Sequence, residues 1–140
     1  MTHFPPPLRA VTDRFAVAPQ LSPEEAAAAA EAGVVLVINN RPDDEEPGQP
    51  AGAAIAAAAE AAGARYLHLP FQGMPSRQLV EEMRAAIRAA DGPAVAFCRT
   101  GTRSIFAWAV GQLTAGDATR DEVIAAARGA GYDLSPHLPR

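Results

Sequence analysis

Strand-forming and helix-forming segments alternate along this 140-residue chain, and that order restricts the fold more than any other feature. The strand signals are short: "RFAVAPQ", "VVLVI" at 34–38, "RYLHLPF" and "AVAF" at 94–97. Runs such as "VVLVI" and "AVAF" have no polar alternation, which marks strands of a parallel sheet buried on both faces. Between them lie helices with readable ends. Ser22 is placed as N-cap, Pro23 at the first helical position and Glu25 as the closing member of a capping box, with Gly33 as the stop, so a helix is expected over 22–32. An alanine-rich helix is expected over 51–62, ended by Gly63. Over 76–90, Leu79, Val80, Met83 and Ile87 keep helical spacing while Glu81, Glu82, Arg84 and Arg88 fall on the other side. "SIFAWAVGQL" reads as a central buried helix, and "TRDEVIAAARGAG" repeats the capping pattern with Thr119 and Glu122. The expectation is a single α/β domain, a mostly parallel sheet with helices on both faces. A proline-rich lead over 1–10 precedes a catalytic domain over 11–131, and a tail follows over 132–140.

In such sheets ligands bind beyond the carboxyl ends of the strands. The loops leaving those ends are 39–50, 70–75 and 98–103, so topology alone gathers Arg41, the acids Asp43 to Glu46, Gln72 and Cys98 around one crevice.

Composition removes several chemistries. All 12 basic residues are arginine, which excludes Schiff bases, a lysine base and the phosphate-loop lysine of nucleotide hydrolases. Those arginines are scattered and the net charge is -4, so nucleic acid is not an expected partner. The N-terminus carries no secretory pattern and no apolar run approaches membrane-spanning length, so a soluble cytoplasmic protein without a membrane partner is expected. His3, His68 and His137 are far apart and there is one cysteine, so neither a metal nor another cofactor is expected.

That cysteine, Cys98, stands where a strand ends and "FCRTGTRS" begins. A strand that turns through Gly101 and enters a helix at about Arg103 or Ser104 aims backbone N–H groups at one point, an anion nest at a positive helix end. The same groups favour a thiolate at Cys98. Gly101 supplies a backbone angle or a close approach that a side chain blocks. Arg103 presents a two-pronged fork to a tetrahedral oxyanion. Thr100 completes the loop, the hydroxyl of Thr102 or Ser104 is a candidate donor to the sulfur, and Arg99 at the rim is a candidate recruiter of anionic substrate. A lone cysteine at a strand end is more often a small core residue; glycine, arginine and a helix start at this spacing favour a nucleophile.

Taken together, "CRTGTRS" and the upstream "VINNRPDDEEPGQP" resemble the phosphatase-like domain of the beta-lactamase-hydrolase-like protein family, also described as a bacterial sulfur transferase family. The resemblance spans about residues 11–113. It implies a fold like that of dual-specificity tyrosine phosphatases, Cys98 as nucleophile, Arg103 as anion ligand and a role for Arg41. It also makes a metal-dependent sulfur dioxygenase a plausible companion.

Loop length bears on the activity. Tyrosine phosphatases place five residues between cysteine and arginine, with a histidine before the cysteine and an aspartate acid some 30 residues upstream. Here four residues intervene, position 97 is Phe, and no aspartate lies between Gly63 and Ala90. A leaving alkoxide needs a proton, worth about a hundredfold or more in rate, so a phosphatase would have to borrow Asp43 or Asp44. Rhodanese-type sulfurtransferases use the shorter loop and need less acid help, though this chain lacks the glutamate-then-"GHI" segment of that fold. The leading expectation is a sulfurtransferase: a small anionic donor loads a Cys98 persulfide, and an external thiol accepts the sulfur. The alternatives are phosphomonoester hydrolysis through a phosphocysteine and a non-catalytic anion-binding or partner-docking module. Arg41 is read at even weight as a substrate ligand or a structural partner of the acids, "DDEE" as a mostly solvated face, His68 as packed, and Phe106 and Trp108 as core.

Overall fold

The computed structural model describes residues 4–139, so His3 lies outside the described residues. In chain order the elements are β1 (Arg9–Thr12), β2 (Phe15–Ala18), α1 (Pro23–Glu31), β3 (Leu36–Asn39), α2 (Gly52–Ala61), β4 (Arg65–His68), α3 (Arg77–Ala89), β5 (Ala94–Phe97), α4 (Thr102–Thr114) and α5 (Arg120–Gly129). They form one five-stranded sheet in the order β1-β2-β5-β3-β4. β2, β5, β3 and β4 run parallel, and β1 joins β2 antiparallel at the edge.

The chemistry of the caps explains the helix boundaries. Ser22 accepts from the Glu25 backbone N–H while Glu25 reaches back to the Ser22 N–H, and Thr119 and Glu122 repeat the exchange at α5. Each box satisfies two of the donors that a helix start leaves open. The one strand not anticipated is β1, which begins at Arg9 inside the segment read as a lead. Its pattern is irregular because the register shifts between Ala10 and Thr12. Leu8, just before it, is buried. The tail is likewise part of the domain, since Leu134 and Leu138 are buried in the core.

Two cores flank the sheet. Alanines 26, 29 and 59 with Ile55 carry α1 and α2 against one face, over Val37, Val95 and Phe97. On the other face α3, α4 and α5 bring larger side chains, Met83, Ile105, Trp108 and Ile124, over Val17, Ile38 and Ala96. Trp108 stacks on Phe15 with centroids 5.8 Å apart. β5, the middle strand of the sheet, is buried throughout and delivers its last residue straight into Cys98. Among the described residues no helix is long and apolar enough to cross a membrane.

Candidate active site

The site lies where the topology requires, at the carboxyl ends of β3, β4 and β5. Beside β5, Gln20 N–H donates to the Arg99 carbonyl at 3.2 Å and ties the cysteine loop to the segment after β2. The loop then turns through Gly101, whose φ of +93° is left-handed, and α4 begins at Thr102, one or two residues earlier than the sequence suggests. Glycine is needed here for two reasons. A side chain is strained at that φ, and a Cβ would collide with the hydroxyl of Tyr132.

Cys98 is 1% exposed, and its Sγ accepts from the Gly101 N–H at 3.1 Å. The hydroxyl candidates for that sulfur are engaged elsewhere. Ser104 is fully buried and donates to Asn40 Oδ1 at 2.8 Å, and Thr102 Oγ1 pairs with Thr100 Oγ1 at 2.9 Å. The donor to the sulfur is therefore the backbone of Gly101. Asn40, which the sequence reading passed over, is the hinge of this arrangement: its Nδ2 donates to the Leu69 carbonyl at 3.0 Å while its Oδ1 holds Ser104. One side chain thus locks the ends of β3 and β4 to the first turn of α4.

Arg103, on that same turn, makes a two-pronged contact with Glu45, Nη2 to Oε1 at 2.7 Å and Nη1 to Oε2 at 3.0 Å. Nη1 also donates to the Phe71 carbonyl at 2.9 Å, which fastens loop 70–75 to the site. Burial works against the charge on Arg103, but Glu45 and Cys98 outweigh it and push the guanidinium pKa up. Glu45 is the counterpart. Its hydrogen bond from Arg103 is the largest influence, followed by Gln72, and they hold the carboxyl down at about 2 against the cost of burial. Glu45 is thus an ion at any physiological pH and cannot serve as an acid. Glu45 was grouped with the acids facing the crevice but not singled out; its position four residues after Arg41 was the available signal.

Arg41 is paired with the acids in this structure. It is buried, and its three donor groups go to Glu45 at 2.9 Å, to Gln20 at 2.9 Å and to Glu46. His68 Nε2 lies 2.9 Å from the Arg41 carbonyl, a packed histidine as anticipated. Arg99 is at the exposed rim, where it pairs with Glu46 at 3.1 Å. The two aspartates offered as acids sit on the exposed side of their loop. Asp43 Oδ1 accepts from the Gly52 N–H at 2.7 Å and so closes the start of α2, and Asp44 is exposed at a φ of 60°.

Beside Arg103 a groove of about 250 Å³ opens between loop 70–75, α4 and the C-terminal segment, lined by Phe71, Met74, Phe106, Leu134 and His137. Among the described residues no group of three or more His, Cys, Asp or Glu side chains is placed to hold a metal.

The decisive comparison is with the family described as "Beta-lactamase hydrolase-like protein, phosphatase-like domain", whose model matches residues 7–116. The chain belongs to that family. A solved structure of a candidate phosphatase from Neisseria meningitidis z2491 is 34% identical with a TM-score of 0.80, and the match covers 91% of each chain. The active form of Tk-PTP is 18% identical at a TM-score of 0.74, covering 93% of this chain and 88% of its own. Kinase associated phosphatase, solved with its catalytic-site cysteine replaced by serine, is 13% identical at 0.67, covering 92% and 86%. These last two establish a fold of the dual-specificity tyrosine-phosphatase type. No curated protein matches the chain.

Proposed function

We propose that this member of the family is a cysteine-dependent phosphatase for monoesters whose leaving group departs without a proton from the enzyme. This reverses the order in which the sequence alone ranked sulfur and phosphoryl transfer. The observation that carries the reading is the Gly101 N–H on Cys98 Sγ at 3.1 Å, at the mouth of a helix that bears Arg103 on its first turn. In the proposed cycle the Cys98 thiolate attacks phosphorus, an S–P bond forms as the ester P–O bond breaks, and the leaving oxygen takes the electron pair. Water then cleaves the S–P bond and releases phosphate. The loop amide and Arg103 stabilise the negative charge that builds on the transferred group. The restriction to good leaving groups is read from the acids: Glu45 is held as an ion, Asp43 accepts from the Gly52 N–H at the start of α2, and Asp44 lies exposed on the loop. The groove beside Arg103 suits the apolar organic part of such a substrate, being smaller than the ~300–1,000 Å³ typical of drug-sized sites.

Sulfane sulfur transfer is the second reading, favoured by the four-residue spacing between Cys98 and Arg103 and by the hold of Arg103 on Glu45 as an ion. There the thiolate takes one sulfur from a persulfide donor, the donor thiolate leaves, and an external thiol accepts the sulfur. A sulfur dioxygenase companion and a cytoplasmic setting belong to that reading. Intact mass spectrometry with rapid acid quench separates the two. The protein and its Cys98→Ser variant are each incubated with phenyl phosphate and with glutathione persulfide. A phosphoryl adduct on the wild type alone, with phenol released, is expected; one added sulfur atom that thiol discharges replaces this reading with the second. No adduct from either donor leaves an anion-binding module.

A further inference from the structure

The Tyr132 hydroxyl donates to the Thr100 carbonyl at 2.8 Å. That carbonyl and the Gly101 N–H belong to one peptide unit, and this is the N–H that meets Cys98 Sγ. A trans peptide is planar with its C=O and N–H directed oppositely, so a bond that fixes one end fixes the other. The position needs such a tie. Glycine admits both signs of φ, and Gly101 sits at +93°, so the unit preceding it has rotational freedom that other residues lack. Rotated over, the unit would present the sulfur with a carbonyl oxygen, an acceptor where a thiolate needs a donor. In its observed orientation the two hydrogen bonds also polarise the same amide in the same sense and strengthen each other.

Tyr132 is itself held. Its backbone N–H donates to the Ala127 carbonyl at 2.9 Å just past α5, and the Arg9 guanidinium lies over its ring at 5.5 Å from the centroid. Burial raises the phenol pKa, and the nearby Cys98 adds to the rise against Arg9, so the hydroxyl keeps its proton to donate. Tyr132 lies beyond the 7–116 stretch that the family model matches.

We propose that Tyr132 is a positioning residue: its hydroxyl sets the orientation of the Thr100–Gly101 peptide and thereby holds the Gly101 donor on the reacting sulfur. The inference rests on Cys98 being the nucleophile. Its test is Tyr132→Phe, which removes one oxygen, set beside Thr114→Val, which removes a hydroxyl that donates to the Val110 carbonyl at the far end of α4. Two quantities are read on each full-length variant: the Gly101 amide proton resonance by ¹⁵N-edited NMR, and the rate of Cys98 adduct formation with saturating phenyl phosphate. In Tyr132→Phe the resonance moves upfield and the adduct rate falls about five- to tenfold, the size of one lost hydrogen bond, while the apparent KM stays within about twofold. Thr114→Val stays near wild type in both. An unmoved Gly101 resonance, an unchanged adduct rate, or the same loss in Thr114→Val overturns the proposal. A wild type that forms no adduct removes the reactive role of Cys98, whereas the Gly101 resonance still decides the peptide's orientation, so the two failures are distinguishable.

Discussion

Residues 98–103 and residues 41–50 meet at Arg103 and are held by different means. The cysteine loop is a backbone structure: Gly101 N–H on sulfur, Gln20 N–H on the Arg99 carbonyl, Tyr132 on the Thr100 carbonyl. The acidic loop is a side-chain structure in which Arg41 distributes its donors over Glu45, Glu46 and Gln20 while Gln49 and Asp43 close it on itself and on α2. Backbone geometry is indifferent to pH, whereas carboxylates are not. The first loop is thus suited to carrying the reaction, and the second to setting the conditions under which Arg103 is properly placed.

The sharpest break in that comparison is Cys98→Ser, which leaves both loops intact and removes the nucleophile. Covalent adduct formation is expected to drop by about a thousandfold or more with little change in melting temperature, as followed by mass spectrometry and calorimetry. Gly101→Ala comes next and attacks the backbone loop alone. The left-handed φ and the Tyr132 hydroxyl both oppose the new methyl, and a loss of about 1–3 kcal/mol in urea unfolding is expected, with turnover falling by at least tenfold.

Glu45→Gln attacks the charged loop. Because the carboxyl is held at about 2 in the folded protein, chiefly by Arg103, against an ordinary value near 4.3 when unfolded, its contribution to stability is present above about pH 4.5 and is lost as pH falls toward 2. The wild type should melt higher than Glu45→Gln at pH 6, with the gap closing progressively through that acid window; a constant gap would mean the ion pair is not its source. The smallest effect is expected from Asp43→Ala, about 1 kcal/mol from the lost contact at the start of α2, with phenyl phosphate turnover within about twofold of wild type. A tenfold fall in turnover there would restore Asp43 as an acid and erase the distinction between the loops.

How much of this could be read from sequence follows the same division. Elements whose signals are local were legible: the capping boxes at Ser22 and Thr119, the β-branched run before β3's end, and the cysteine loop, where glycine, arginine and helix start stand within six residues. What was not legible depends on partners distant in the chain. Nothing near Asn40 announces that Ser104 and Leu69 will meet on it, and Glu45 was one of four adjacent acids until the fold set Arg103 against it. Tyr132 acts on Thr100 across 32 positions. β1 escaped because its register break disturbs the alternation that marks an edge strand.

That separation also has a consequence in time. At synthesis rates of ~5–20 residues per second, Cys98 is made roughly two to seven seconds before Tyr132. During that interval the thiol is present while its Gly101 donor is unlatched, and the groove wall at Leu134 and His137 does not yet exist. The nascent chain therefore carries its reactive atom before it carries the means to use it, and competence arrives only when the last turns of the domain close.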